Sequence, residues 1–229
     1  MKILVVTTYN YKLLKEYAHK FETSYNWPFE RVVYNEDENL FDLVPDCKKF
    51  IERNKKKMEG KDPLKDYWRD GVRFCYKVYA YTHAILTNKE YDGIICIDAD
   101  SVFYKEIDEN WIKENIHKDD CMMTYLGRGD HYSECGFLYF NMKHPKTKRY
   151  AERMKEMYDT DGIYSLAQQH DSWVWDHVRK QFEKSGVKNY DIGDGKRGHV
   201  QARSILGTIY DHTKGPSRKA RGKSPEFNI

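Results

Sequence analysis

The sequence predicts an α/β fold, and three observations carry that prediction. The chain opens strand, helix, strand, the order of a crossover unit in a parallel sheet. Its most apolar strand, Ile94-Ile95-Cys96-Ile97, runs straight into Asp98-Ala99-Asp100, and ligands of open α/β sheets bind just beyond such strand ends. The 229 residues are enough for one α/β domain with a full core.

Lys2 to Thr8 is a short β-branched run with a polar stop, a first core strand. It is apolar for too few residues to be a signal peptide and has no small-residue cleavage site. Leu13, Leu14, Tyr17, Ala18 and Phe21 recur at helical spacing and predict a helix from Tyr11 to Glu22. Arg31 to Tyr34 reads as the second strand. From Glu36 to Lys65 the chain is polar and punctuated by Pro45 and Pro63, which suggests a loop with one short helix over Cys47 to Met58. Val72, Cys75, Val78, Tyr79, Thr82, Ile85 and Leu86 form the apolar stripe of a helix ended by Asn88 and the Tyr91-Asp92-Gly93 turn. Cys121 to Tyr125 and Phe137 to Met142 are two more strands. Tyr150, Met154 and Met157 mark a helix after Pro145; Trp173, Val174, Val178 and Phe182 mark another, stopped by Gly186. A loop with Gly193, Gly195 and Gly198, a strand over Ser204 to Tyr210 and a basic tail follow. With no repeat and no linker, the expectation is one domain.

Hydrophobic residues make up 40% and charged residues 33%, which places the chain among globular proteins and not disordered ones. No apolar run nears the ~20 residues of a membrane span. Five cysteines without a Cys-x-x-Cys pair argue against a disulfide framework or a structural zinc, and a reducing cytoplasm is the expected setting. A net charge of +3 is too small to point to nucleic acid, although positive charge clusters at Arg53 to Lys57 and at Lys214, Arg218, Lys219, Arg221 and Lys223. Nineteen tyrosines and five tryptophans suit sugar sites and ordinary cores alike.

Asp98 and Asp100 lie where strand alternation breaks into a loop, so both can turn to one point. Like charges so placed call for a cation between them, and Mg²⁺ or Mn²⁺ suits oxygen ligands beside substrate phosphates. The bland alternative is two acids in a solvated turn. In His212-Thr213-Lys214-Gly215-Pro216-Ser217-Arg218-Lys219, His212 offers a third ligand, Gly215 a close backbone approach, and the basic groups a grip on phosphate; the alternative is a disordered tail. Glu134, beside Gly136 at a strand start, is placed to bind sugar hydroxyls or simply to enter a strand. Asp171 ahead of an apolar-periodic helix is either a sugar-binding or catalytic carboxylate or an N-cap. Arg73 and Lys77, four apart on a face outside the apolar stripe, reach a pyrophosphate or are solvated surface charge.

In their order these pieces resemble the GT-A glycosyltransferases, most closely the retaining family that includes glycogenin and the bacterial lipopolysaccharide galactosyltransferases. The likeness spans most of residues 1 to 219. It implies a single GT-A (Rossmann-like) domain with a mixed, mostly parallel central sheet flanked by helices. Residues 1–100 would be the nucleotide-binding half, 101–211 the acceptor and sugar half, and 212–229 a basic tail closing the site. It implies metal-dependent transfer from a UDP-sugar to a carbohydrate or glycosylated acceptor, with retention of anomeric configuration. Asp98, Asp100 and His212 look like the ligands of Mn²⁺ or Mg²⁺, with Ala99 between the two acids beside the cofactor. Thr8, Tyr9 and Asn10 look like the lip of the nucleoside pocket, and Arg73, with Lys77, like the basic reach to the donor. Lys214, Gly215 and Lys219 resemble the diphosphate grip, and Asp171 and Glu134 are the candidate nucleophiles. The chain departs from the family at Arg218-Lys219-Ala220, where Lys-Pro-Trp is usual, and at Glu134-Cys135-Gly136, where Asn-Ala-Gly is common.

Two rivals stand beside this reading. Ile95 to Val102 also fits the first motif of haloacid-dehalogenase-like phosphatases, with Asp98 as nucleophile, and Tyr190 to Gly195 resembles their last acidic motif. Against it, almost a hundred residues precede a motif that normally opens the domain, and Gly198 stands where a second acid belongs. A non-catalytic carbohydrate-binding module would keep the aromatics and need no paired carboxylates.

Overall fold

The structure is a computed structural model that describes residues 1–62 and 64–226. Pro63 and the last three residues of the tail, to which the sequence reading extends, lie outside the described residues.

The strands are β1 (Ile3–Tyr9), β2 (Glu30–Asn35), β3 (Gly93–Ile97), β4 (Ser101–Phe103), β5 (Cys121–Arg128), β6 (His131–Asn141), β7 (Lys188–Asp191) and β8 (Tyr210–His212). The helices are α1 (Tyr11–Leu13), α2 (His19–Ser24), α3 (Asn39–Leu43), α4 (Pro45–Asn54), α5 (Gly71–Thr87), α6 (Glu109–Asn115), α7 (Thr147–Asp159), α8 (Asp171–Lys184), α9 (Val200–Arg203) and α10 (Pro216–Arg221). Six strands form one sheet in the order β2-β1-β3-β6-β5-β7, and β4 pairs with β8 in a second. In the large sheet only β6 runs against the others, since β1 is parallel to β2 and β3, and β5 to β7. The fold is therefore α/β with a mixed, mostly parallel sheet, as the opening strand, helix, strand order implies.

Alternation along the central strands splits the core into two layers. Leu4, Val6, Ile94, Cys96, Leu138 and Phe140 face α4, α5, α7 and α8. Ile3, Val5, Ile95, Ile97, Phe137 and Tyr139 face the other way, towards Phe21, Trp27, Phe103, Ile112, Val200 and Tyr210. With both faces covered, these strands must be apolar at every position, which is why β1 and β3 read as continuous hydrophobic runs. Helix α5 starts where Asp70 accepts from the Arg73 N–H at 2.9 Å and ends at Asn88.

Three expectations change. The helix expected over 11–22 is interrupted by a π turn at Leu14–Ala18, so its periodicity is real but one residue is inserted. The segment 36–65 carries two α-helices, α3 and α4, and a 3₁₀ turn at Lys55–Met58, because Leu40, Cys47 and Phe50 reach the core despite their polar surroundings. No strand forms over Ser204 to Tyr210. Ser204 caps a 3₁₀ turn by accepting from the Leu206 N–H, and the strand begins only at Tyr210. Among the described residues, no helix is long and apolar enough to cross a membrane.

Candidate functional site

Strand β3 ends at Ile97, and Asp98 follows at the carboxyl edge of the sheet, its N–H bonded to the Gly136 carbonyl at 3.0 Å. The chain then turns into β4, which pairs antiparallel with β8 so that Ser101 lies opposite His212. That pairing delivers a histidine from far along the chain to the paired acids. Phe103 anchors it, with ring centroids 5.1 Å from Phe21, 5.2 Å from Tyr25, 4.7 Å from Trp27 and 5.6 Å from Tyr210. Each such aromatic pair contributes roughly 0.5–1.5 kcal/mol beyond simple burial. The Thr213 N–H and hydroxyl both donate to the Asp100 carbonyl, which fixes the next residue as well.

Each carboxylate divides its two oxygens. Asp98 Oδ1 meets Lys77 Nζ at 2.5 Å and Oδ2 faces His212 Nε2 at 3.6 Å. Asp100 Oδ2 meets Lys219 Nζ at 2.9 Å and Oδ1 faces His212 Nε2 at 3.0 Å. One ligand atom from each of the three residues thus lies within 4.8 Å of the others. Two carboxylate oxygens and an imidazole nitrogen are a donor set that Mn²⁺ or Mg²⁺ accepts, so these residues fit a divalent cation. Gly136 makes the ring position available: a Cβ there would lie 2.4 Å from His212 Cε1 and 2.6 Å from Nδ1.

The charges around these acids are matched. Burial pushes the Asp98 carboxyl up, against the pull of Lys77 and His212. The same burial is outweighed at Asp100, where His212 and Lys219 hold the carboxyl well below its ordinary range. For the buried His212 ring, desolvation disfavours the proton, but Asp100, Asp98 and Glu134 together raise its pKa.

The structure places the other predicted residues unequally. Lys77 is not solvated surface charge. Its ammonium is buried between Asp98 and Asp171, the latter at 2.9 Å, and both carboxylates raise its pKa against the cost of burial. It therefore acts as a tie between two acids and does not project towards a pyrophosphate. Arg73, one turn earlier, is exposed. Asp171 is not the N-cap; His170 takes that place, accepting the Trp173 N–H through Nδ1 at 3.4 Å. Asp171 is the first helical residue, buried, with Lys77 and the Cys135 thiol on one oxygen.

Glu134 is buried between Lys214 at 2.5 Å and Arg128 at 3.4 Å; burial works against its charge, but Lys214, His212 and Arg128 hold its carboxyl far below the usual range. Lys214 and Lys219 both reach acids of the site. Gly215 adopts φ 84°, which glycine tolerates best, to start α10 between them. Tyr9 lies inside, its hydroxyl donating to Glu22 at 2.6 Å, because strand alternation turns it away from the edge. Thr8 and Asn10 remain at the strand end, and both donate to Glu36, at 3.3 and 2.9 Å. Ala99 packs with Tyr9 and Ala18, so its side chain is core.

Sequence reasoning missed Arg128, Cys135 and Tyr17. Cys135 Sγ lies 2.9 Å from Asp171 Oδ2 and from Ser172 Oγ, and its only sequence signal is its place between Glu134 and Gly136. Tyr17 sits in the π turn with Lys219 Nζ 3.7 Å above its ring. Such turns recur at functional sites. The phosphatase reading loses its second motif. Asp191 ends β7, which is three strand spacings from β3, about 14 Å across the sheet. Asp194 is paired with Arg203 there.

No family model and no curated protein matches the chain. Among solved structures it is similar to the glycosyltransferase GlyE of Streptococcus pneumoniae TIGR4, at 12% identity and a TM-score of 0.47, over 82% of this chain and 45% of that one. The chain thus spans less than half the length of GlyE. It is also similar to a glycosyltransferase involved in glycosylation of the major capsid of PBCV-1, at 8% identity and TM-score 0.45, over 96% and 100% of the two chains. Mouse xyloside xylosyltransferase 1 aligns at 9% identity and TM-score 0.45, over 84% and 86%. At such scores the likeness is one of outline, and the function must be argued from the site.

Proposed function

We propose that the protein is a GT-A-type glycosyltransferase that moves a sugar from a nucleoside diphosphate donor, UDP-linked, to a carbohydrate or glycosylated acceptor. In this reading Asp98, Asp100 and His212 hold Mn²⁺ or Mg²⁺. The observation that carries it is the convergence of Asp98 Oδ2, Asp100 Oδ1 and His212 Nε2 at the carboxyl end of the central strand. When bound, the cation supplies electrostatic relief for charge developing on the departing diphosphate.

The chain's own groups then have separate tasks. Lys77 holds Asp98 and Asp171 at fixed separation, so that Asp98 keeps one oxygen turned to the site. Lys214 and Lys219 both reach acids of this site and are the charge-assisted donors for phosphate oxygens. Thr8, Asn10 and Glu36 form the polar edge offered to the nucleoside. Asp171 and Glu134 are each neutralised by close cations, which makes either a weak nucleophile. That supports retention by front-face attack, in which a leaving phosphate oxygen takes the acceptor proton. Asp171→Asn and Glu134→Gln should then leave measurable turnover and yield no glycosyl-enzyme; a trapped adduct on either residue overturns this route.

The test of the whole reading is a panel of nucleotide sugars with and without Mn²⁺, followed by thermal shift and by nucleotide release. Stabilisation by UDP that requires the metal is expected. Asp100→Ala should remove it and lower turnover about a thousandfold, since a charge pair at ~4 Å and an effective dielectric of ~20 is worth roughly 4 kcal/mol. Absence of any metal-dependent nucleotide effect would sink the proposal.

A further inference from the structure

The basic cluster at 53–57 has no part in the site above. In the fold it divides. Arg53 is tied down at the surface as a structural clamp, with Nε 2.9 Å and Nη2 3.0 Å from the two Asp161 oxygens and further bonds to the carbonyls of Tyr158 and Asp159. This fixes the turn at Asp161, whose φ of 59° is otherwise unfavourable for a residue with a side chain. The Tyr164 N–H donates to the Asp161 carbonyl at 3.1 Å, so the same turn places the Tyr164 ring.

Lys57 turns outward instead. With Lys61, Arg69, Trp68, Tyr164 and Gln169 it lines an open cavity of about 390 Å³. Lys57 Nζ lies 4.1 Å from the centroid of the Tyr164 ring and the Arg69 guanidinium 4.2 Å from that of Trp68, so two of the three cations are held against aromatic walls. Among the described residues no carboxylate pairs with Lys57, Lys61 or Arg69, whereas Lys77, Lys214 and Lys219 are all paired with acids. The Asp161 carboxylate, tied to Arg53 and Asn54, acts on Lys57 only from beyond ion-pair distance. A concave site with aromatic faces, three cations without an ion-pair partner among the described residues and one buried amide is suited to a ligand that is both a sugar and an anion.

The cavity is tied to the candidate active site. The Gln169 N–H donates to the Trp68 carbonyl at 2.8 Å, which joins its two loops, and Asp171 stands only two residues on, at most about 7 Å of chain. Tyr67, Tyr132 and Trp173 gather alongside around the buried His170 ring, with Tyr132 4.5 Å from His170 and 6.1 Å from Trp173. Tyr67 is the chain neighbour of Trp68 and His170 that of Gln169, so these rings adjoin the lining of the cavity.

We propose that this cavity is a binding subsite for an anionic saccharide, the distal unit of an acceptor that carries a carboxylate, sulfate or phosphate group. As an acceptor subsite it rests on the glycosyltransferase reading; as an anionic-sugar site it does not.

Direct binding to the intact protein tests it, by calorimetry with an oligogalacturonate, a heparin-derived tetrasaccharide, a phosphorylated oligosaccharide, neutral maltotetraose and inorganic phosphate. At least one anionic oligosaccharide should bind about tenfold or more tighter than maltotetraose and than inorganic phosphate, and the preferred one identifies the anionic group. Lys57→Gln/Arg69→Gln should weaken that binding about tenfold, and Trp68→Ala should weaken it too, with the Mn²⁺-dependent shift by UDP unchanged. Equal binding of neutral and anionic oligosaccharides, or wild-type binding by the double variant, overturns the subsite. Anionic-sugar binding in a protein without any UDP and metal effect would sink the transferase reading alone.

Discussion

The two basic regions of the molecule do opposite things with their charge. In the C-terminal segment Lys214 lies on Glu134 and Lys219 on Asp100, so these two cations are paired with buried acids of the candidate site. Around the cavity beside α4, Lys57 and Arg69 lie against aromatic rings, Lys61 shares the lining, and among the described residues none of the three forms an ion pair. The difference lies in what the fold sets opposite each cluster. A cation placed against a buried carboxylate holds the site together and is available to a ligand only by exchange. A cation over an aromatic face keeps its charge for whatever enters. In sequence the two stretches look alike, and only their partners separate holding from binding.

The largest way to break the contrast is to undo the pairing that brings the C-terminal segment in. Phe103→Ala removes the ring around which Phe21, Tyr25, Trp27 and Tyr210 pack, and should destabilise the protein by ~3–5 kcal/mol in urea unfolding. If β4 and β8 owe little to that nest, the loss will be near 1 kcal/mol instead. Gly136→Ala acts nearer the site. Its Cβ must displace a closely packed imidazole, and Mn²⁺ affinity should fall about tenfold or more, as for a misplaced ligand. Titration of Mn²⁺ binding by electron spin resonance checks this, and unchanged affinity would remove His212 from the ligand set.

A sharper comparison sets Lys219→Met against Lys57→Gln/Arg69→Gln. The first should weaken UDP binding in Mn²⁺ several-fold, roughly 1 kcal/mol, while the second leaves it unaltered. Equal effects from the two would mean that both clusters serve the nucleotide.

The smallest effect concerns Glu36, at the edge of β2. Burial raises its pKa to about 7, in spite of the Thr8 and Asn10 hydrogen bonds that favour the charge. Between the ordinary value of 4.5 and about 7 the folded state holds the proton more firmly than the unfolded chain. Stability from this group is therefore present at low pH and is lost as pH rises through that window. Glu36→Gln should melt with wild type near the lower end of the window and exceed it by ~1–3 kcal/mol above the upper end. A constant difference across pH would show that Glu36 ionises normally.

How much of this was legible beforehand follows from range of interaction. The strand into Asp98-Ala99-Asp100 and the helix stripe from Val72 to Leu86 are local patterns, and the structure has both as β3 and α5. Lys77 was misjudged because periodicity reports which residues are apolar, and a buried cation between Asp98 and Asp171 leaves no apolar mark. The strand expected over Ser204 to Tyr210 failed because Ser204 caps a tight turn, a local hydrogen bond that outcompetes the ladder.

By itself the sequence determined the α/β class, the carboxyl-end position of the paired acids and the presence of a histidine and lysines available to join them. Those depend on chain order and on side-chain periods of two and 3.6. Only the tertiary structure decided that β8 lies against β4, that Gly136 leaves space for the His212 ring, and that Lys77, Lys214 and Lys219 pair with acids while Lys57 forms no ion pair among the described residues. Such assignments depend on which distant groups share a small, partly dry volume, where a single carboxylate within hydrogen-bond reach outweighs any local preference of the chain.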